Sequence, residues 1–471
     1  MNIRKTKIVA TIGPASCSER ELTGMINAGM NVARLNFSHG SHEEHSEVIR
    51  TIRDTSEKLH IPVAILQDLS GPKIRIGSFE TETVHLKKDA EFTLTTEAFV
   101  GSEERVYVNY KNLPKEVSEG SHIMLDDGKI KLRVQSVKGE DIKCIVVNGG
   151  TIRGSRGVNV PGTKLSIGCL GKKDKDDLLL GIREKVDFVA LSFVQSAEDI
   201  RHLRKILDEH NSRIAIIAKI ETEEAVKNID EIIEVSDGIM IARGDLAVEI
   251  PAEEVPLAQK LIIKKSIMAG KPVITATQML DSMIHSPVPT RAEVSDVSNA
   301  ILDGTDAIML SGETATGDHP VLTIETMSRI AHRTEESELF QEEVKKFVRI
   351  TKGVADSVSL SVAVTAANID AKAIIALSET GFTPRMISRY KPRHPIFVFT
   401  PHIETRNRAL LSFGCFPELG PHFTELSEAA EHAKKFLIHR KNFKKGDKFV
   451  LCAGIPFGKK GSTNLMLAQS I

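Results

Sequence analysis

The sequence predicts a closed (β/α)8 barrel, with an all-β domain inserted after the third strand and a C-terminal α/β domain. Three observations carry that reading. Eight apolar segments of strand length recur through roughly the first 345 residues, with amphipathic stretches between most of them. The rhythm breaks between Leu69 and Phe188, where helical periodicity gives way to alternation. Beyond about Lys345 a second, shorter strand–helix alternation begins.

The predicted barrel strands are 6–13, 32–38, 63–69, 188–194, 214–221, 238–245, 272–277 and 307–312. Near-continuous apolar runs such as Ile214-Ala215-Ile216-Ile217-Ala218 suit strands buried on both faces of a parallel sheet. Segments 41–60 and 197–209 read as amphipathic helices. Another helix starts at Thr290, which with Glu293 three residues on forms a capping box. In the interrupted stretch, Phe92 and Leu94, Val106 and Val108, Ile123 and Leu125, and Ile130, Leu132 and Val134 alternate as half-buried strands do. Asp126-Asp127-Gly128 is a hairpin turn between the last two. The predicted barrel thus comprises 1–71 and 170–345, the inserted β-barrel lid 72–169, and the C-terminal α/β domain 346–471. Strands in the last fall near 373–377, 396–400 and 449–453. An insertion after strand three projects from the C-terminal face of the barrel, where it can close over a site. No internal repeat, low-complexity tract or long linker is visible.

Composition narrows the function. Charged residues make up 27% of the chain and the formal net charge is −1, so there is no bulk basic field for nucleic acid or anionic lipid. Aromatic residues are 4% with no Trp, which argues against stacking platforms for bases. No apolar run is long enough to span a bilayer, and no signal-peptide core follows Met1. The cysteines (Cys17, Cys144, Cys169, Cys415, Cys452) are scattered without metal-ligand spacing, as expected of reduced thiols in a cytoplasmic protein.

The chemistry gathers at the strand ends. Two apolar runs starting 24 residues apart, at Ile214 and Gly238, end in Lys219-Ile220-Glu221 and Arg243-Gly244-Asp245. Charges there sit on the rim where barrels place their sites. Glu221 and Asp245 can converge on a hard cation, with Lys219 and Arg243 adding positive charge. The plain alternative is a pair of structural ion pairs. Strand two ends in Arg34-Leu35-Asn36-Phe37-Ser38-His39, strand three in Asp68-Leu69-Ser70-Gly71-Pro72-Lys73-Ile74-Arg75, strand seven in Thr277-Gln278, and strand eight in Ser311-Gly312-Glu313. Fixed cations, carboxylates and hydroxyls without a Ser-His-Asp set, a Cys nucleophile or a dinucleotide fingerprint are an inventory for phosphoryl transfer.

The segments 30–40, 217–221, 241–246, 276–280 and 309–314 resemble, in order, the signature segments of pyruvate kinase. The resemblance runs from Lys5 to the C-terminus. It implies phosphoryl transfer from phosphoenolpyruvate to ADP, giving pyruvate and ATP, with Mg²⁺ or Mn²⁺ held by Glu221 and Asp245. Lys219 then stabilises charge on the moving group, a contribution on the order of 3–4 kcal/mol. The N–H groups of Gly244 and Asp245 hold the substrate carboxylate, and Arg34 its phosphate. Arg75 and Lys173 meet the nucleotide phosphates, and Asn36 and His39 line the nucleotide side. Thr277, with Ser311 in a water network, helps protonate the enolate. Without the resemblance, Asn36 and Ser38 read equally as turn caps, His39 as a turn histidine, Ser311 as a helix N-cap, and 172–177 as a solvated surface run.

One departure concerns K⁺. Many members of that family hold K⁺ at positions matching Asn36, Ser38 and Asp68 and carry Glu where this chain has Lys73. Here Lys73, with Leu69 nearby, resembles the branch that works without K⁺, its tethered ammonium replacing the ion. In the C-terminal domain, Ser378-Glu379-Thr380-Gly381-Phe382-Thr383 matches the loop that binds an effector phosphate, although Glu379 opposes an anion. Lys459 and Lys460 in a later loop can add cations. A sugar phosphate or nucleotide monophosphate and a homotetramer are the implied partners. Two rivals stand beside the kinase: a metal-dependent aldolase or lyase on the same barrel, and a non-catalytic scaffold.

Overall fold

The computed structural model describes residues 3–163, 165–345, 353–440, 443–458 and 462–471. Lys459 and Lys460 lie outside them. Eight parallel strands close a barrel: β1 (Lys7–Ile12), β2 (Val32–Asn36), β3 (Ala64–Asp68), β4 (Phe188–Leu191), β5 (Ala215–Ile220), β6 (Gly238–Ala242), β7 (Val273–Ala276) and β8 (Ala307–Leu310). Each pairs with its sequence neighbours, and β8 pairs with β1 to close the ring. The period of two divides the apolar residues. Ile8 and Ala10 pack outward in the layer shared with the helices. Val9, Ala64, Leu66, Ile217 and Ile274 belong to a separate inner cluster.

Helix boundaries follow their caps. Ser41 caps His42–Leu59 through a capping box with Glu44, and His60 ends it in the left-handed region. Thr290 and Glu293 form the expected capping box at the head of Arg291–Leu302. The strand predicted over 238–245 is shorter than expected. It stops at Ala242, and Arg243–Glu249 is helix, so Gly244 and Asp245 occupy a first helical turn rather than a strand end. The run at 172–177 is solvated only in part: Lys172, Lys173, Lys175 and Asp176 are exposed. It opens the helix Lys172–Arg183, with Asp174 and Asp177 buried.

One polar position recurs before alternate strands. Every even strand is preceded by Asn31, Asp187, Asp237 or Asp306. Each backbone N–H donates to a carbonyl of the preceding odd strand, at Ile8, Ile65, Ile216 and Val273. Each side chain then accepts the N–H of that same residue, at 3.0, 2.7, 2.8 and 3.1 Å. Four short polar side chains thus pin four pairs of strands at the bottom of the barrel. A single polar residue recurring every two strands leaves no trace in a search for similar segments.

Between β3 and β4 lies a six-stranded sheet with its own core, in the spatial order Val158–Asn159, His122–Leu125, Ile130–Lys138, Asp141–Asn148, Glu91–Thr95 and Arg105–Tyr107. The hairpin turn sits where expected, with Asp126, Asp127 and Gly128 all at positive φ. A five-stranded sheet ends the chain: β9 (Ala373–Leu377), β10 (Ile396–Thr400), β11 (Cys415–Leu419), β12 (Lys448–Ala453) and β13 (Leu465–Ser470), in the order β11-β10-β9-β12-β13. Leu410 and Leu411 from this part of the chain join the inner barrel cluster and plug its lower mouth.

Candidate active site

The upper rim carries a buried charge network. Lys219, on β5, reaches three acceptors: Glu221 Oε1 at 2.9 Å, Asp68 Oδ1 at 3.1 Å and Ser192 Oγ at 2.6 Å. Three acceptors satisfy the three N–H groups of an ammonium. Arg34, on β2, donates from Nε to Asp68 Oδ2 at 2.7 Å and from an NH group to Thr11 Oγ1 at 2.8 Å. The second oxygen of Glu221 accepts the Phe193 N–H at 2.7 Å.

The electrostatics follow from burial and charge. Burial favours a neutral Asp68, but Lys219 and Arg34 outweigh it and hold the carboxyl below its usual range. Burial also dominates at Glu221 and raises it; Lys219 opposes that rise and Asp245 adds to it. For Lys219, burial is overcome by Asp68 and Glu221, which keep the ammonium charged above the ordinary lysine value. Asp245 sits exposed on the first turn after β6, beside this network.

Over the rim opens a cleft of about 420 Å³, lined on the barrel side by His39, Phe193 and Asp245 and on the inserted domain by Lys73, Arg75 and Asp126. The structure brings Arg34, Asp68, Lys219 and Glu221 together, with Asp245, Lys73, Arg75 and His39 around the opening. Lys73 Nζ lies 3.4 Å from Ser38 Oγ. Burial, then Lys219 and Arg75, lower its pKa against the pull of Asp245 and Glu221. Asn36 Oδ1 accepts the Ser38 N–H at 3.1 Å, the turn-capping bond that residue type favours. Leu69 is buried at the head of the insertion.

Three of these residues have partners that the sequence did not announce. Arg243 adds no free charge: it grips both oxygens of Asp296 at 2.7 Å and donates to the Thr277 carbonyl at 2.8 Å. Lys173 is held by Asp177 and by the Phe37 carbonyl, both at 2.6 Å. Ser311 makes no side-chain cap. Its N–H is bonded to Glu313 Oε2 at 2.7 Å instead. Thr277 adopts φ 71°, a costly conformation for a β-branched residue, and its Oγ1 accepts the Gly244 N–H at 2.8 Å. Sequence reasoning missed Ser192, Phe193 and Thr11. All three lie on or just beyond barrel strands, so the same rim argument applied to β1 and β4 finds them.

The family described as "Pyruvate kinase, barrel domain" matches residues 3–324, and "Pyruvate kinase, alpha/beta domain" matches 356–467. The chain is 48% identical to a pyruvate kinase of Geobacillus stearothermophilus, covering 99% of this chain and 80% of that one. It is 43% identical to a pyruvate kinase of Clostridium acetobutylicum over the whole of both. A crystal structure of a pyruvate kinase from Cryptosporidium parvum superposes with a TM-score of 0.94 at 37% identity, covering 99% of this chain and 96% of that one.

The chain belongs to the pyruvate kinase family. It is a phosphotransferase, and its reaction moves the phosphoryl group of phosphoenolpyruvate to ADP, giving pyruvate and ATP. The family works with a divalent metal, and the donor set here suits one. Glu221 and Asp245 offer hard carboxylate oxygens, and no group of three His, Cys, Asp or Glu converges among the described residues. Mg²⁺ is commonly held in that way, by one or two carboxylates with the remaining positions filled by substrate oxygens and water.

Proposed function

We propose that the transfer takes place above Lys219, with Glu221 and Asp245 holding Mg²⁺ or Mn²⁺. When bound, that metal supplies a Lewis acid to the enolpyruvate and phosphoryl oxygens. Lys219 presents a fixed positive charge to the moving phosphoryl group; the carboxylates beside it keep it protonated. Arg34 binds the substrate phosphate with the guanidinium nitrogen not committed to Asp68 or Thr11. The substrate carboxylate takes the N–H groups of Gly244 and Asp245 and competes with Thr277 Oγ1 for the first of them. Thr277, so released, works with Ser311 and water to deliver the proton to the enolate carbon. Arg75, Asn36 and His39 face the nucleotide. Lys173 reaches it only by leaving Asp177, so its contribution runs through the Phe37–His39 turn that it holds.

Lys73 Nζ lies against Ser38 Oγ, and we assign its tethered ammonium the part a bound monovalent cation would play, with no K⁺ required. The loop Ser378–Thr383, to which we assign the effector, is held by one bond within it and one to Thr463. Gly381 N–H donates to Ser378 Oγ at 2.9 Å, and Thr383 Oγ1 meets Thr463 Oγ1 at 2.8 Å. Glu379 is hydrogen-bonded to His402 at 2.7 Å, which engages one oxygen of the carboxylate that opposes a phosphorylated activator. A homotetramer suits the apolar outer faces of two helices, and a cytoplasmic setting suits five free cysteines. Among the described residues no helix is long and apolar enough to cross a membrane.

The network around Lys219 is the observation that carries the reading. Pyruvate formation from phosphoenolpyruvate, ADP and Mg²⁺ tests it. Lys219→Ala is expected to lower kcat by on the order of 10²–10³. Turnover of a pyruvate-like enolate without ADP would instead favour the lyase.

A further inference from the structure

The two connections of the inserted domain meet at one point. The chain leaves the barrel through Ser70 and Gly71 and returns through Gly171. One carboxylate grips both crossings. Asp174, buried, accepts from Ser70 Oγ and Gly71 N–H at 3.0 Å on one oxygen and from Gly171 N–H at 2.9 Å on the other. Directly before this clamp stands the Leu69 carbonyl. It accepts a hydrogen bond from Ser192 Oγ at 2.7 Å, and the same Oγ accepts from Lys219 Nζ at 2.6 Å.

Ser192 has no freedom in this arrangement. A hydroxyl has one proton, and here that proton goes to Leu69, so its lone pairs face Lys219. The residue is 2% exposed. Gly71 packs so closely that an added Cβ would lie 3.0 Å from Ser192 Cβ and 2.9 Å from the Phe193 ring, and its φ of +65° excludes most other residues. The next residue, Phe193, gives its N–H to Glu221. Ser192 and Phe193 therefore join the hinge backbone to both members of the Lys219–Glu221 pair.

We propose that Ser192 is a positioning residue for phosphoryl transfer, coupling the direction of the Lys219 ammonium to the hinge of the inserted domain. The physical case rests on what the two carboxylates cannot do. Asp68 and Glu221 hold Lys219 by charge, a force with little directional preference. The neutral hydroxyl adds a third, directed contact. Without it the ammonium settles between the carboxylates with one N–H unassigned, and a displacement near 1 Å at a reacting centre costs about 10²-fold in rate. The role rests on the kinase reading above, since it needs Lys219 to face the moving group.

The test compares steady-state kinetics of the full chain with Ser192→Ala, Ser192→Cys, Asp174→Asn and the Ser192→Ala/Asp174→Asn pair. Ala leaves space where the hydroxyl was and Cys, slightly larger than Ser, fills it with a weak donor and acceptor, so a loss shared by both comes from the hydrogen bonds and not from packing. Both Ser192 variants should melt close to the parent, keep KM for phosphoenolpyruvate within about threefold, and lose about 10- to 100-fold in kcat. Because the two sites act through one hinge, the pair should lose no more than about threefold beyond the worse single variant. A kcat near the parent value in both Ser192 variants overturns the proposal, as do losses that multiply in the pair. An active parent silenced by Lys219→Ala keeps the kinase reading even then. A silent parent removes both.

Discussion

At the scale of single residues, the site is governed by cations that have few alternatives. Lys219 is satisfied by two carboxylates and a hydroxyl, and Arg34 by Asp68 and Thr11. Lys73 differs: its ammonium makes a long contact to Ser38, and its surroundings already hold Lys219 and Arg75. An ammonium kept in such company stabilises charge that arrives with substrate rather than charge already present. Lys73→Glu should therefore reverse the local field and leave room for a monovalent ion. Turnover in K⁺-free and Na⁺-free buffer should fall by roughly tenfold or more, and KCl at constant ionic strength should restore much of it. The parent should respond to KCl by less than about twofold under the same conditions. A parent that needs KCl, or a Lys73→Glu variant indifferent to it, overturns the tethered-cation role.

At the scale of elements, the bottom of β1 carries the least comfortable residue in the barrel. Lys7 is 1% exposed, and its ammonium faces the Cys415 carbonyl and the Phe416 ring, with no carboxylate in ion-pair range among the described residues. Burial pushes its pKa down to about 7 from an ordinary value of 10.5. Between those values the unfolded chain holds a proton at Lys7 that the folded chain lacks, so stability rises with pH across that window. The cost is fully present below about pH 7 and fades towards pH 10. Lys7→Met, close in volume, should raise Tm near pH 7, with a margin over the parent that shrinks near pH 10. Calorimetry at both values checks this, and a margin independent of pH counts against it. Lys7 also shows where the sequence stops being legible. The eight strands, the capping boxes and the Asp126 hairpin all follow from local periodicity and turn chemistry, and so could be read. The rim positions of Lys219, Glu221 and Asp245 could be read because the barrel delivers its strand ends, and the turns just after them, to one rim. What Lys7, Asp174 and Asp177 do could not, because each is buried by segments tens to hundreds of residues away. Arg243 looked like a site cation for the same reason: nothing in Ala242-Arg243-Gly244 announces Asp296.

At the scale of the whole molecule, two helices are apolar on faces that no described residue of the single chain covers. Along Val255–Ala269, Leu257, Leu261 and Met268 stand 62%, 44% and 47% exposed at helical spacing while the opposite side packs on the barrel. On the C-terminal sheet, Val354 and Val364 are exposed on Val354–Asn368, and β13 pairs with β12 on one side only. Exposed apolar rows and a free strand edge are surfaces that soluble chains cover. Two such surfaces on separate domains fit two different two-fold contacts, and a tetramer with dihedral symmetry needs two. Breaking one contact should then leave dimers joined through the other. Leu257→Glu together with Leu261→Glu puts four charges into the first contact, counting both copies. Light scattering after size exclusion should give a tetramer for the parent and a dimer for this variant, since the β13 edge is untouched. The site lies on the barrel rim within one chain, so kcat of the dimer should stay within about threefold of the parent while any sigmoidal response to phosphoenolpyruvate weakens. A variant that runs as a monomer means that both surfaces belong to one contact. A variant that remains a tetramer means that the Leu257 row faces something other than a second copy.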